Sequence, residues 1–491
     1  MAQPLEIAKS LLAILDRDED RLKNIDDYLH GKHAGPYLPE TAGAEYRLLA
    51  RRAVSNWMPL LVGTPAQALY VDGFRRGGGD AGATHQPGDS PEWVRWQRSR
   101  MDARQAAVHR AALAYGHSFV LVTGRGDKVQ ISGLSSLRTA ALYVDPANDE
   151  VPYAALTVDR WSTTSGGERV DGAARLWIGR MEFPVKLTKD GPRVGRGSAH
   201  GSAETPVTRF AAAVDLEGRT IGVIEPMIPL QDRINQSVFD LLVAQTYGSF
   251  KVRWATGMAP PIKLHPDLVK NPETGAMEAN PRAGDPIIDP TTGQPELLPI
   301  DTNASRMMFG EDPETRFGTL DETPLEGYIA SIDMSIRNLA AVSQTPPHYL
   351  LGQLANLSAE ALTAAETALS RKTEEFRKGF GESWERVFRL AAELAGDLTA
   401  GENFAGEIVW RDMEQRSLAQ SADALGKLAV QLGIPARGLW ARVPGTSQVE
   451  LDEWNALYRE DNAEGELARA LRPATAARDA VAPAEDGLAA A

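Results

Sequence analysis

"SQTPPHYLLGQLANLSAEAL", Ser343 to Leu362, closes one helix and opens another. The pair Pro346-Pro347 cannot sit inside a helix, because proline lacks the amide proton and its ring collides with the preceding turn. Upstream, "LEGYIASIDMSIRNLAAVS" carries helical periodicity. Downstream, Ser358 is a good N-cap, with Glu360 well placed against the helix dipole. From there apolar residues recur at Leu362, Ala365, Leu369, Phe376, Phe380, Trp384, Val387, Ala391 and Leu394. That spacing predicts one helix from Ser358 to Gly396, about 55 Å long, with Gly379 and Gly381 as candidate bends. Its apolar stripe requires neighbours to cover it.

Working outward, "PLQDRINQSVFDLLVAQTYGSFKVRW" reads as another long helix, with Ile234, Val238, Leu241 and Leu242 on one side. Between it and the helix before Pro346 the composition shifts. Nine of the chain's 31 prolines fall between Pro260 and Pro299, which predicts loops and short strands rather than helix or deep core. The acidic stretch "GEDPETRFGTLDETPLEG" then leads into the second helix. Two helices therefore flank one proline-rich insertion.

The N-terminal half has a different texture. Residues 1–30 alternate apolar and charged positions at helical spacing, with Gly31 as the stop, and "AEYRLLARRAVSNWMPLLVGTPAQAL" predicts a helix broken near Pro59 and Pro65. The stretch "GFRRGGGDAGATHQPGD" is a glycine-rich loop. After it, Ser90 and Pro91 supply an N-cap and a first-turn proline for a helix that Gly116 closes. From Ser118 the period becomes that of strands: "SFVLVTG", "KVQIS", "ALYVDP", "PYAALTV", "ARLWIG", "EFPVKL" and "VTRFAAAV" follow between Gly, Asp and Pro turns. The fold class expected is α+β, with a mostly antiparallel sheet region. Beyond residue 396 the pattern predicts short helices, then an alanine- and proline-rich end expected to be disordered.

The 491 residues suit several modules rather than one core. With 43% hydrophobic and 24% charged residues, the composition is that of a globular protein. No apolar run reaches membrane-spanning length, and the acidic start "MAQPLEIAKSLLAILDRDEDR" is unlike a signal peptide, so a cytoplasmic protein is expected. Zero cysteines remove disulfides, thiolate zinc sites and cysteine nucleophiles. The net charge of −14 argues against gripping nucleic acid on a broad basic face, but not against letting it slide past.

Catalytic constellations are missing from the sequence. "GRGDK", Gly124 to Lys128, lacks the spacing of a phosphate loop and reads as a hairpin turn. The eight histidines show no metal-binding spacing, and "GSAHG" at Gly197 is not a nucleophile elbow. The acidic residues Glu311, Asp312, Glu314, Asp321 and Glu322 read first as a solvated face. They leave one enzymatic alternative, a carboxylate-based metal-dependent hydrolase, nuclease or glycosidase, acting through residues 311–326 such as Asp312 and Asp321.

The order of elements is more telling than any single residue. "EYRLLARRAVSNWMPLLVGTPAQALYVDGF", "GVIEPMIPLQDRINQSVFDLLVAQ" and "PHYLLGQLANLSAEALTAAETALSRKTEEF", in that order, resemble the portal proteins of tailed bacteriophages, of the siphophage type found in actinobacterial phages. The resemblance implies a non-enzymatic ring, usually of twelve subunits, at one capsid vertex of the virion. Double-stranded DNA would be packed and ejected through it without sequence preference. The implied partners are further copies of the chain, the major capsid protein and scaffold, the terminase large subunit and the head-tail adaptor. No cofactor, metal or membrane is implied. Carried onto this chain, residues 1–229 become an α+β wing, joined by the long helix 358–396. Residues 230–256 and 319–342 become two stem helices, 257–318 a clip, 397–470 a helical crown and 471–491 a disordered tail. Residues 343–357 become a tunnel loop, with Gln344, Thr345, His348, Tyr349, Gln353 and Asn356 as the side chains facing DNA. That loop contains no Lys or Arg, as suits a surface that slides along a polyanion rather than holding it.

Overall fold

The computed structural model describes residues 3–75, 90–163, 169–248, 253–256, 262–272, 275–297, 314, 316–319, 324–352, 359–411, 418–443, 446 and 448–461. The fold is mixed α+β, as expected. The chain divides into two compact units, Met1–Phe239 with Ser331–Ala491, and Asp240–Ala330.

In the first unit, helix α1 (Pro4–Leu29) begins on a first-turn proline. Helices α2 (Ala44–Arg52) and α3 (Met58–Gln67) follow. The expected break is real but falls at residues 53–57. Pro59 sits in the first turn of α3, where its missing N–H costs nothing, and Pro65 lies inside the helix near its end. Strand β1 (Val71–Arg75) leads to the helices α4 (Pro91–Arg98) and α5 (Met101–Tyr115). The Ser90 hydroxyl accepts from Trp93 N at 3.2 Å, the N-cap read from the sequence. The single helix expected there is two, because Arg100 takes a left-handed φ of 55°. Asp102 ties the pair together, accepting from Trp96 Nε1 and Gln97 Nε2 at 2.7 Å each. Gly116, at φ 91°, ends α5. A Cβ there would stand 2.8 Å from Thr220 O, so only glycine fits.

The strands are β2 (His117–Thr123), β3 (Gln130–Leu134), β4 (Thr139–Leu142), β5 (Ala154–Thr163), β6 (Arg169–Ile178), β7 (Met181–Thr188), β8 (Gly191–Val194), β9 (Ser198–Ala199) and β10 (Val207–Ala211). They form two antiparallel sheets. One runs β10-β2-β3; the other runs β4-β5-β6-β7-β8, with β9 on β7. Gly124–Lys128 is the turn between β2 and β3, closed by a single 3-10 turn at Gly126–Lys128. The N-terminal half of α1 lays Ile7, Ala8 and Leu11 on the second sheet, against Leu156, Val158, Leu176 and Val185. Its C-terminal half turns Leu22, Ile25 and Tyr28 into the main core.

Helix α6 (Ile228–Gly248) starts in that core, with Gln231, Ile234 and Asn235 buried. Here the sequence reading overran. The helix stops at Gly248, and Arg253–Thr256 is a strand, β11. "KVRWAT" alternates like a strand, and its partner is remote in sequence. In the second unit, β11 pairs with β14 (Arg316–Thr319), and β12 (Leu268–Lys270) pairs with β13 (Met277–Ala279). Isolated bridges join Ile262 to Leu297, Leu264 to Pro286 and Ile288 to Pro295. The second helix, read from Leu325 onward, is α7 (Glu326–Ser343); the start at 319 that the resemblance implied falls instead on β14, and Pro324 stands just before the helix.

Helix α8 (Pro347–Leu351) is a single turn, and α9 (Ala359–Ala395) is the long helix foreseen from residue 358. Phe376, Phe380, Trp384, Val387, Phe388, Ala391 and Leu394 of α9 are buried in the main core with residues of α3, α5, β2, β10 and α7. His109 of α5 is fully buried against them. Its Nδ1–H donates to Leu69 O at 3.0 Å and its Nε2 accepts from Trp384 Nε1–H at 2.8 Å. With both ring nitrogens engaged, the imidazole is held neutral, and burial pushes its pKa down to about 4.

Beyond α9 the segment expected to be purely helical is not. After α10 (Leu398–Gly401) comes β15 (Glu407–Trp410), which pairs antiparallel with β1 in the register Phe74↔Ile408 and Arg75↔Glu407, so segments remote in sequence share one small sheet. Helices α11 (Leu418–Leu432), α12 (Ala436–Leu439) and α13 (Gln448–Asp461) complete the described chain. The expected disordered tail, 471–491, lies outside the described residues.

Candidate functional site at the helix break

The end of α7 is built by backbone hydrogen bonds. Thr345 N donates to Ala340 O at 3.0 Å and Gln344 N to Ala341 O at 3.3 Å. This is the paired closure of a Schellman motif. The position that glycine usually fills is Gln344, at φ 54°, a conformation that costs a side-chain-bearing residue about 1 kcal/mol. The carbonyl of Ser343 is satisfied from the other side, by Lys372 Nζ of α9 at 2.8 Å. Burial lowers the pKa of Lys372, with Glu375 opposing that shift. A cation at a helix C-terminus is favourable both as a donor and against the dipole.

Pro346 is buried and sets the extended entry to α8. The His348 and Tyr349 rings lie against each other, centroids 4.5 Å apart. Both face Glu366 of α9: His348 Nε2 stands 3.9 Å from its carboxylate, and Tyr349 Oη donates to it at 3.5 Å. Partial burial raises the Tyr349 pKa first, then the Glu366 charge and hydrogen bond. Gly352, at φ 64°, ends the turn.

The residues proposed from sequence thus separate. Gln344 and Tyr349 are exposed, Tyr349 by 43%. Thr345 departs from the expectation: it is buried, 4% exposed, because its amide closes α7. The His348 side chain is only 9% exposed, pressed between its neighbour and Glu366. Gln353 and Asn356 lie outside the described residues. Lys372 and Glu366 were missed, although Lys372 left a trace. It falls three residues after Leu369 and four before Phe376, a charge set in the apolar stripe of α9.

The chain matches the family model described as "Phage portal protein, SPP1 Gp6-like" over residues 8–464. It belongs to the phage portal protein family. Two curated relatives carry the name "Portal protein". That of Mycobacterium phage D29 is 25% identical over 454 residues, covering 87% of this chain and 83% of the relative. That of Mycobacterium phage L5 is 25% identical over 398 residues, covering 75% of this chain and 71% of the relative. Among solved structures, a chain from the neck of an empty GTA particle, computed with C6 symmetry, aligns over 82% of this chain and 96% of its own at 13% identity, with a TM-score of 0.38. One from the neck of a native GTA particle, computed with C12 symmetry, aligns over 84% and 99% at 14% identity, also with a TM-score of 0.38.

No finding supports the hydrolase alternative. Asp312 and Asp321 lie outside the described residues. Among the described residues no group of three or more His, Asp or Glu side chains is placed to hold a metal. No described helix is long and apolar enough to cross a membrane.

Proposed function

We propose that this portal-family chain assembles into a closed ring of twelve copies at one capsid vertex, and that double-stranded DNA passes through its centre. The observation that carries the reading is the family match across residues 8–464. The order of elements agrees with it: an α+β unit, two helices bracketing a small proline-rich unit, a break, and a long helix. In this reading α6 and α7 are the stem, and the strands between them are the clip that docks the terminase and later the head-tail adaptor. The first sheets and α9 form the wing with the β1–β15 pair, and α11 to α13 form the crown. The tunnel loop spans residues 343–357, and Gln344 and Tyr349 are its described DNA-facing side chains. A neutral amide and a phenol meet a polyanion without binding it tightly, which suits passage. The protein is then a capsid-vertex component of the virion, assembled in the host cytoplasm with capsid protein and scaffold, and its function is structural rather than enzymatic.

Negative-stain electron microscopy with mass photometry on the full chain tests this. Rings with a central hole and a mass of about twelve subunits are expected. A chain that stays monomeric at every concentration and salt, with capsid and scaffold proteins added, overturns the reading.

A further inference from the structure

Between α1 and the strands β2 and β4 lies a cavity of about 720 Å³, within the range of ligand and anchor pockets. Two loops form its mouth and touch each other: a Cβ on Gly218 would stand 2.3 Å from Pro146 Cβ. These loops turn apolar side chains outward, Val144 85% exposed, Leu216 91% and Ile221 47%. Apolar groups gathered at the rim of a cavity mark an interaction surface.

The charges inside are unevenly matched. Of the four arginines lining the cavity, Arg17 pairs with Asp18 at 2.9 Å, Arg21 with Glu225 at 3.0 Å and Arg219 with Asp215 at 2.7 Å. Arg209 pairs with no carboxylate among the described residues. Its guanidinium lies 4.4 Å over the Tyr143 ring and gives one hydrogen bond, to Pro146 O at 2.9 Å. The third lining carboxylate, Glu217, is exposed on the mouth loop. His117 reports the local field: burial first, then Arg209 and Arg21, push its pKa down to about 4, with only Asp18 opposing.

A guanidinium left without a counter-charge, beneath an apolar rim, is complementary to a carboxylate carried among apolar residues. The chain itself is rich in that chemistry, with 66 Asp and Glu against 52 Lys and Arg. A head-to-tail ring contact also needs a socket on one face for a projection from another. We propose that this cavity mouth is a subunit socket, in which the neighbouring copy of this chain seats an acidic side chain on Arg209 and apolar residues on Val144, Leu216 and Ile221. The inference rests on the ring reading and gives one of its contacts a place.

The absence of cysteine makes the test direct. Leu216→Cys in the full chain, labelled with a benzophenone maleimide, is irradiated under assembly conditions, and the crosslinked peptides are identified. Covalent dimers of the chain, joined at a segment holding Asp or Glu beside apolar residues, are expected. Arg209→Glu and Leu216→Asp are each expected to weaken assembly on the order of tenfold or more; the second is at an exposed position and keeps the test valid if the first fails to fold. Rings without crosslinks from Leu216, undiminished in both variants, overturn the socket and leave the ring. Crosslinked dimers without rings support the socket and overturn the ring. Neither rings nor crosslinks overturns both.

Discussion

The apolar residues of α9 and those of the proline-rich unit meet opposite fates. From Phe376 to Leu394 the buried face of α9 is at most 7% exposed, whereas Leu264, Leu268, Val269, Met277, Ile288 and Leu297 are 45–60% exposed. The first region is held by packing. The second is held by its backbone: Ile287 N donates to Lys263 O at 2.9 Å, Lys263 N to Glu296 O at 2.8 Å and Glu296 N to Ile287 O at 2.7 Å. Short strands without a covered face are marginal alone. The difference teaches that one region specifies the fold by packing, while the other keeps its shape with its apolar side chains turned outward.

Breaking the packed side gives the largest expected effect. Trp384→Ala removes a fully buried ring and leaves His109 Nε2 without its donor, for a loss of about 3–5 kcal/mol in chemical denaturation. A loss under about 1 kcal/mol would sink the account of α9 as the central support.

Acid acts through the same cluster. His109 is neutral when folded, with a pKa of about 4 against 6.5 for the free side chain. The unfolded chain therefore binds the proton first as pH falls. The stabilising contribution is full above pH 6.5 and is lost toward pH 4, up to about 3 kcal/mol. His109→Gln should flatten the pH dependence of stability in that window. An unchanged slope would assign acid sensitivity elsewhere.

Lys372→Met keeps the stem of the side chain and removes the donor to Ser343 O. A loss of about 1 kcal/mol is expected, with faster amide exchange at residues 344–352 as the sign that the helix break has loosened. Protection unchanged there would mean that the backbone closure of α7 suffices by itself.

Gly379→Ala sharpens the comparison in the stabilising direction. The added Cβ would meet only Ala211 O, at an ordinary 3.9 Å, so removing a glycine from a helix interior should add about 0.5–1 kcal/mol. On the exposed side, Met277→Ser should change stability by about 0.5 kcal/mol or less. A larger loss would show that this unit holds a core of its own.

The sequence disclosed what local chemistry decides. Ser90 with Pro91, Gly116 and the stripe of α9 each marked an element, because capping, positive φ and periodicity are properties of neighbours in sequence. The misplaced boundaries share another cause. α6 stops before 253 and α7 starts after 319 because those strands pair with each other, and the region after α9 contains β15 because β1 lies there to receive it. No local pattern announces such partners. At the candidate site the helix break was legible from Pro346-Pro347, but the inward turn of Thr345 and the reach of Lys372 depend on where α9 passes.

The late arrival of α9 also has a cost in time. Trp384 and Phe210 meet at 4.5 Å between ring centroids, yet 174 residues separate them (384 − 210). At ribosomal speed, roughly ten to thirty-five seconds pass between the two rings leaving the synthesis site. Through that interval the nascent first unit exposes Trp96, Phe210 and the faces of α3 and α5 without their cover. Each newborn subunit is a candidate for chaperone holding before it is ever a candidate for assembly.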